Sequence, residues 1–165
     1  MPAGEDQRRA VKSSRPHPSK PPLRGAALAA GLLEVACTPG SGDPLRLEVV
    51  RTLARDLAEE LEALSALDYS ATATVEGALR AADVANLAAC TTPELLETAA
   101  SQAAAAAYLA AGAVRALGII ADAGVGDAHE EPNGEYKQNL SKDARGAMWR
   151  AQLAVRQVDE FVETG

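Results

Sequence analysis

Residues 45–67 read LRLEVVRTLARDLAEELEALSAL. Val50, Leu53, Leu57, Leu61 and Leu64 recur at intervals of three and four, the spacing that lines one face of a helix turning every ~3.6 residues. Asp43-Pro44 marks the start: the carboxylate can accept an orphaned first-turn amide, and proline has no amide to satisfy. Glu59, Glu60 and Glu62 lie off the apolar stripe. Beside Arg51 and Arg55 they read as a solvated face and not as an acid/base pair.

Helical patterning continues on both sides of this segment. Upstream, residues 23–36 (LRGAALAAGLLEVA) form a buried first helix by composition, with Gly25 and Gly31 permitting close backbone approach, and residues 38–43 break it. Downstream, Val75, Leu79, Ala82, Val84 and Leu87 predict a third helix over roughly 71–89. Thr91 and Glu94 have capping-box spacing around Pro93, so a fourth helix is expected to start there. It should run through five consecutive alanines, 103–107, to about Leu117, anchored by Leu95, Leu96, Leu109, Val114 and Leu117. Residues 118–139, with four glycines and Pro132, predict a long irregular loop with acidic residues, the kind of segment that often carries function. Ser141 is then placed to cap a last helix with a stripe of Ala144, Met148, Ala151, Val155, Val158 and Val162. The fold expected is all-α, a helical bundle of about five helices.

Residues 1–22 are Pro-, Ser- and Arg/Lys-rich, with too few apolar side chains to offset the entropy of ordering. They predict a disordered basic arm ahead of a single helical domain over 23–165. The whole chain has 165 residues, 47% of them hydrophobic but only 3% aromatic. Its core must therefore be built from Ala, Leu and Val, which favours close helix contacts.

A net charge of −7 argues against a nucleic-acid groove, which needs clustered Lys and Arg. No stretch is expected to cross a membrane free of charge, and no apolar leader precedes Leu23, which together predict a cytoplasmic protein. Cys37 and Cys90 form no CxxC unit, and His17 and His129 are too few for a multi-histidine metal centre. Asp127, His129, Glu130 and Glu131 could offer oxygen ligands but lack EF-hand spacing, so no metal is assigned. Phosphate-loop, nucleophile-elbow and dinucleotide motifs are absent.

Four features taken together resemble the cyclodeaminase/cyclohydrolase family: the Ala-rich first helix, Leu67-Asp68-Tyr69 at a helix end, the helix opening at Thr92-Pro93-Glu94, and the turn-like Ala121-Asp122-Ala123-Gly124-Val125. The resemblance covers roughly Leu23 to Val162. It implies an all-helical homodimer acting on, or binding, a tetrahydrofolate one-carbon derivative. Asp122 would be the acidic catalytic residue and Asp68 a second, with Gly25 and Gly124 lining the folate site and no further cofactor. A carboxylate beside a departing amine can relay a proton if burial raises its pKa. The family's glycine-rich opening is reduced here to Gly25, and residues 127–143 read as an insertion. The alternative is a non-catalytic bundle that dimerises or docks a partner through the alanine stripe or the Met148–Val155 face. Unless they bind a ligand, Asp122 and Asp68 read as turn or cap acceptors.

Overall fold

A computed structural model describes residues 17–67, 71–127 and 134–165. The chain forms five helices: α1 (Lys20–Ala36), α2 (Pro44–Ala66), α3 (Ala71–Thr91), α4 (Glu97–Asp127) and α5 (Gly134–Thr164), with a 3₁₀ turn at Thr92–Glu94. No strand occurs among the described residues.

Helix α3 is central and packs against the other four. Helix α2 covers the α1 and α3 side, while α5 closes over α3 and α4. Alanine is the commonest residue in the main core, with Leu23, Leu33, Leu61, Val84, Val114 and Leu117 as the large anchors. Small side chains at the seams let helix axes approach closely and leave the larger residues to interlock between them. A second, small cluster of Val75, Ala121, Leu140 and Ala144 ties the C-terminal end of α4 to α3 and α5.

Local chemistry explains most helix ends. Pro21 and Pro22 lie in the first turn of α1, where a missing amide costs nothing, so the helix begins at Lys20 and not at Leu23. The predicted arm therefore overreaches by three residues; residues 1–16 lie outside the described set. Asp43 caps α2, its Oδ1 accepting from the amides of Leu45 (3.0 Å) and Arg46 (3.2 Å). Ser41 Oγ donates to the carbonyls of Ala36 and Thr38, satisfying the end of α1.

The capping box predicted at Thr91 does not form. Thr91 and Thr92 hydroxyls donate back to Leu87 and Ala88 carbonyls, and Glu94 reaches Arg46 across the bundle end at 2.8 Å. A Cβ on Gly42 would lie 2.9 Å from the Glu94 carbonyl oxygen, and the Leu96 amide donates to Ser41 O at 2.9 Å. The α1–α2 and α3–α4 connections thus pack backbone to backbone.

The largest departure from the sequence reading is at residues 118–139. Helix α4 runs ten residues beyond Leu117, and α5 starts at Gly134, so Ser141 is interior and not a cap. Ile119, Ile120 and Ala121 continue the helix through Gly118, which reads as a breaker but lies buried against Met148 of α5. The sulfur of Met148 would lie 2.6 Å from a Cβ there. Residues 128–133 lie outside the described set.

Residues Glu97–Ala123 are long and apolar enough to cross a membrane by length and composition although, as the sequence reading has it, the run is not free of charge, with Arg115 and Asp122 inside it. In the bundle, over half of the most apolar window is packed inside.

The stripe on α2 is also rotated from its predicted position. Leu47, Val50, Ala54 and Leu61 face the core, whereas Leu53 is exposed and Leu57 and Leu64 are half-buried. Arg55 leaves that helix to bind Glu34 of α1 (2.6 Å), and Glu60 binds Arg80 of α3 (2.7 Å). Asp83 of α3 then takes Arg150 of α5 at 2.5 Å. The expected solvated face is present, with Glu59, Glu60 and Glu62 all exposed, and Arg55 and Glu60 on it also tie α2 to α1 and α3. Half-exposed pairs of this kind contribute no more than about 1 kcal/mol each, so packing holds the fold and the pairs register it.

Candidate functional site

Helices α4 and α5 run antiparallel, since Gly118 faces Met148 at one end of the seam and the Tyr108 hydroxyl donates to Asp159 at the other. Between these closures the two helices do not fill the space. A groove of about 440 Å³ remains. Helix α4 lines it with Tyr108, Ala111, Gly112, Val114 and Arg115, and α5 with Met148, Ala151, Gln152 and Val155. The cause is side-chain size: Ala, Gly and Val cannot span the seam that Met148 and Tyr108 span at its ends. Ten residues separate Tyr108 from Gly118, which at 1.5 Å rise makes the groove roughly 15 Å long.

Its polar groups are few. Arg115 carries the only full charge among the lining residues and makes no ion pair with another described residue. Gln152 lies on the α5 side. The hydrogen bond to Asp159, followed by smaller effects of burial and of the Asp159 and Glu163 charges, pushes the Tyr108 phenol above its ordinary value. A carboxylate accepting a phenolic hydrogen bond favours the protonated phenol.

The residues singled out by the family resemblance are not gathered around this groove. Asp122 is exposed on α4, within the helix and not in a turn, and is not among the lining residues. Gly124 belongs to the same helix, near its C-terminal end. Gly25 is half-buried on α1, and a Cβ there would meet nothing within 4 Å, so no backbone cradle is drawn tightly around it. Asp68 lies outside the described residues, as do His129, Glu130 and Glu131. No cluster of metal-ligating side chains occurs among the described residues.

A second feature adjoins the groove on the exposed side of α4. At about 100° of turn per residue, Leu109 stands roughly 60° from the groove-lining Gly112, and Ile119 projects close to the direction of Tyr108. Leu109 and Ile119 are 55% and 60% exposed, and Leu28 and Val35 on the neighbouring α1 are 73% and 56% exposed. The same two helices carry small residues nearby in sequence, Gly31 on α1 and Ala105, Gly112 and Ala116 on α4, of which Gly112 also lines the groove. A Cβ on either Gly31 or Gly112 would meet nothing within 4 Å.

Sequence reasoning named the α5 wall of the groove, the Met148–Val155 face, but missed the α4 wall and the apolar face, although one signal for the former was present. Arg115 is the sole ionised residue between Glu97 and Asp122; a lone charge in a long apolar helix points to a special environment. The pairing of Tyr108 with Asp159, 51 positions away, has no local signature.

No family model matches the chain, and neither a curated protein nor a solved structure matches it.

Proposed function

We propose that this chain is a non-catalytic helical-bundle interaction protein that forms homodimers through the outer face of α1 and α4. The observation that carries this reading is the exposure of Leu28, Val35, Leu109 and Ile119 on two neighbouring helices that also bear small residues. Exposed large apolar side chains grouped on neighbouring helices mark interaction surfaces more often than singly scattered ones do.

The glycines support the same reading. Gly31 and Gly112 each cost about 1 kcal/mol against alanine in a helix interior, and nothing within the protomer comes near the space they leave. A partner helix can use that room. Leu28, Val35, Leu109 and Ile119 are all uncharged, which suits the centre of a self-complementary interface.

Action on a tetrahydrofolate derivative has weaker support. It needs a carboxylate held beside the departing amine, and Asp122 stands exposed and outside the groove. Fold resemblance does not supply activity.

Sedimentation equilibrium at high micromolar concentration tests the proposal. A dimer is expected for the native sequence and a monomer of unchanged helicity for Leu109→Glu; a native monomer at those concentrations rules it out. Titration with 5-formyl-tetrahydrofolate separates the two readings. Saturable binding weakened by Asp122→Asn would reverse the preference.

A further inference from the structure

The groove between α4 and α5 adjoins the apolar face of α4 and shares Gly112 with it. Its volume of about 440 Å³ falls in the range of small-molecule sites, which are mostly apolar with a few placed polar groups. Both ends are closed, by Met148 against Gly118 and by Tyr108 bound to Asp159. What remains is a narrow trough whose walls, Ala111, Val114, Ala151 and Val155, are aliphatic. Tyr108 is the only aromatic in the lining, so the trough offers no stacking platform for a planar ring system. A slender, flexible chain suits it better.

Charge then selects the head group. Arg115 is the one ionised lining residue, and no carboxylate of the described residues pairs with it. A guanidinium presents a planar fork of donors that matches a carboxylate in two parallel hydrogen bonds. Gln152 can add a donor from the facing helix.

We propose that this groove binds a free straight-chain alkyl carboxylate of medium length, its head group on Arg115 and Gln152 and its chain along Ala111, Val114, Ala151 and Val155.

Calorimetric titration of the full chain with decanoate tests this, with 1-decanol and butyrate as comparison ligands. Decanoate should bind saturably at one site per chain, and decanol and butyrate should bind more weakly, each lacking one half of the recognition. Arg115→Gln removes a charged hydrogen bond at an exposed position and should weaken decanoate roughly 10- to 100-fold, with decanol unaffected. Val155→Phe fills the trough and should weaken both long-chain ligands. The site is overturned by absence of saturable decanoate binding, by equal affinity for decanoate and decanol, or by an Arg115→Gln protein that binds as the native one does. Because Arg115 is on the surface, its variant reads the ligand contact without loading the core.

Discussion

Leu23 of α1 lies directly over Gly77 of α3: its Cδ2 is 2.2 Å from where a Cβ on Gly77 would sit, and Leu117 Cδ1 of α4 is 3.7 Å from the same point. Three helices meet at a place where one hydrogen stands for a side chain. Gly77→Ala gains about 1 kcal/mol of helix propensity but drives a methyl into a leucine that is 2% exposed and has nowhere to go. Overpacking of this kind costs about 1–3 kcal/mol, so the net change is a loss. Gly118→Ala makes the contrast. The atom in its way is the sulfur of Met148, half-buried and unbranched at the groove's edge, which can turn aside. Urea unfolding followed by far-UV dichroism should show a lower midpoint for Gly77→Ala and one within about 0.5 kcal/mol of native for Gly118→Ala. A stabilised Gly77→Ala would mean that α1 and α3 do not approach so closely.

The two cysteines should behave differently. Cys37, at the end of α1, is 2% exposed, and burial pushes its thiol above the ordinary value, with Arg51 pulling weakly the other way. Cys90 on α3 is exposed. Since the thiolate is the reactive form and access is needed as well, a disulfide reagent should label one thiol per native chain and the second only after unfolding. Rapid labelling of both in native buffer would place Cys37 elsewhere than beneath α2.

The Tyr108–Asp159 hydrogen bond closing the groove makes a statement about pH. The folded phenol titrates above the ordinary value of 10.0, raised first by that hydrogen bond. A group whose folded pKa is raised contributes its stabilisation below the unfolded value and loses it as pH rises through the folded one, so this contact weakens only in alkali above pH 10. In a Tyr69→Phe/Tyr136→Phe background, ultraviolet titration reads Tyr108 alone. Its midpoint should lie above 10 and fall on Asp159→Asn; a midpoint indifferent to that substitution would remove the bond from the account of the groove.

The helix content was legible because it is local. The stripe in α2, the Asp43 cap and the apolar runs of α1 and α3 depend on neighbours within a turn or two, and each appears within a few residues of its expected place. Local signals also misled. Gly118 reads as a breaker, Thr91-Thr92-Pro93-Glu94 as a capping box and Ser141 as a cap, yet Gly118 packs against Met148, Arg46 takes Glu94, and α5 opens seven residues before Ser141. In the first two cases the deciding partner is distant in sequence.

The amino-acid order by itself determined that this chain forms an all-helical bundle with an alanine-rich core, because periodicity, caps and propensity act over distances shorter than one helix. Which face of each helix turned inward was decided only by packing. Leu53 and Leu109, chosen as anchors by spacing, face outward, while Ala54 and Ala110 lie against neighbouring helices. Where small residues line a seam, close approach of two helices outweighs the burial of one leucine, and that balance exists only once the helices have met. The same meeting left Arg115 beside an unfilled trough and Asp122 on the open surface, so the candidate site is a property of the assembled bundle.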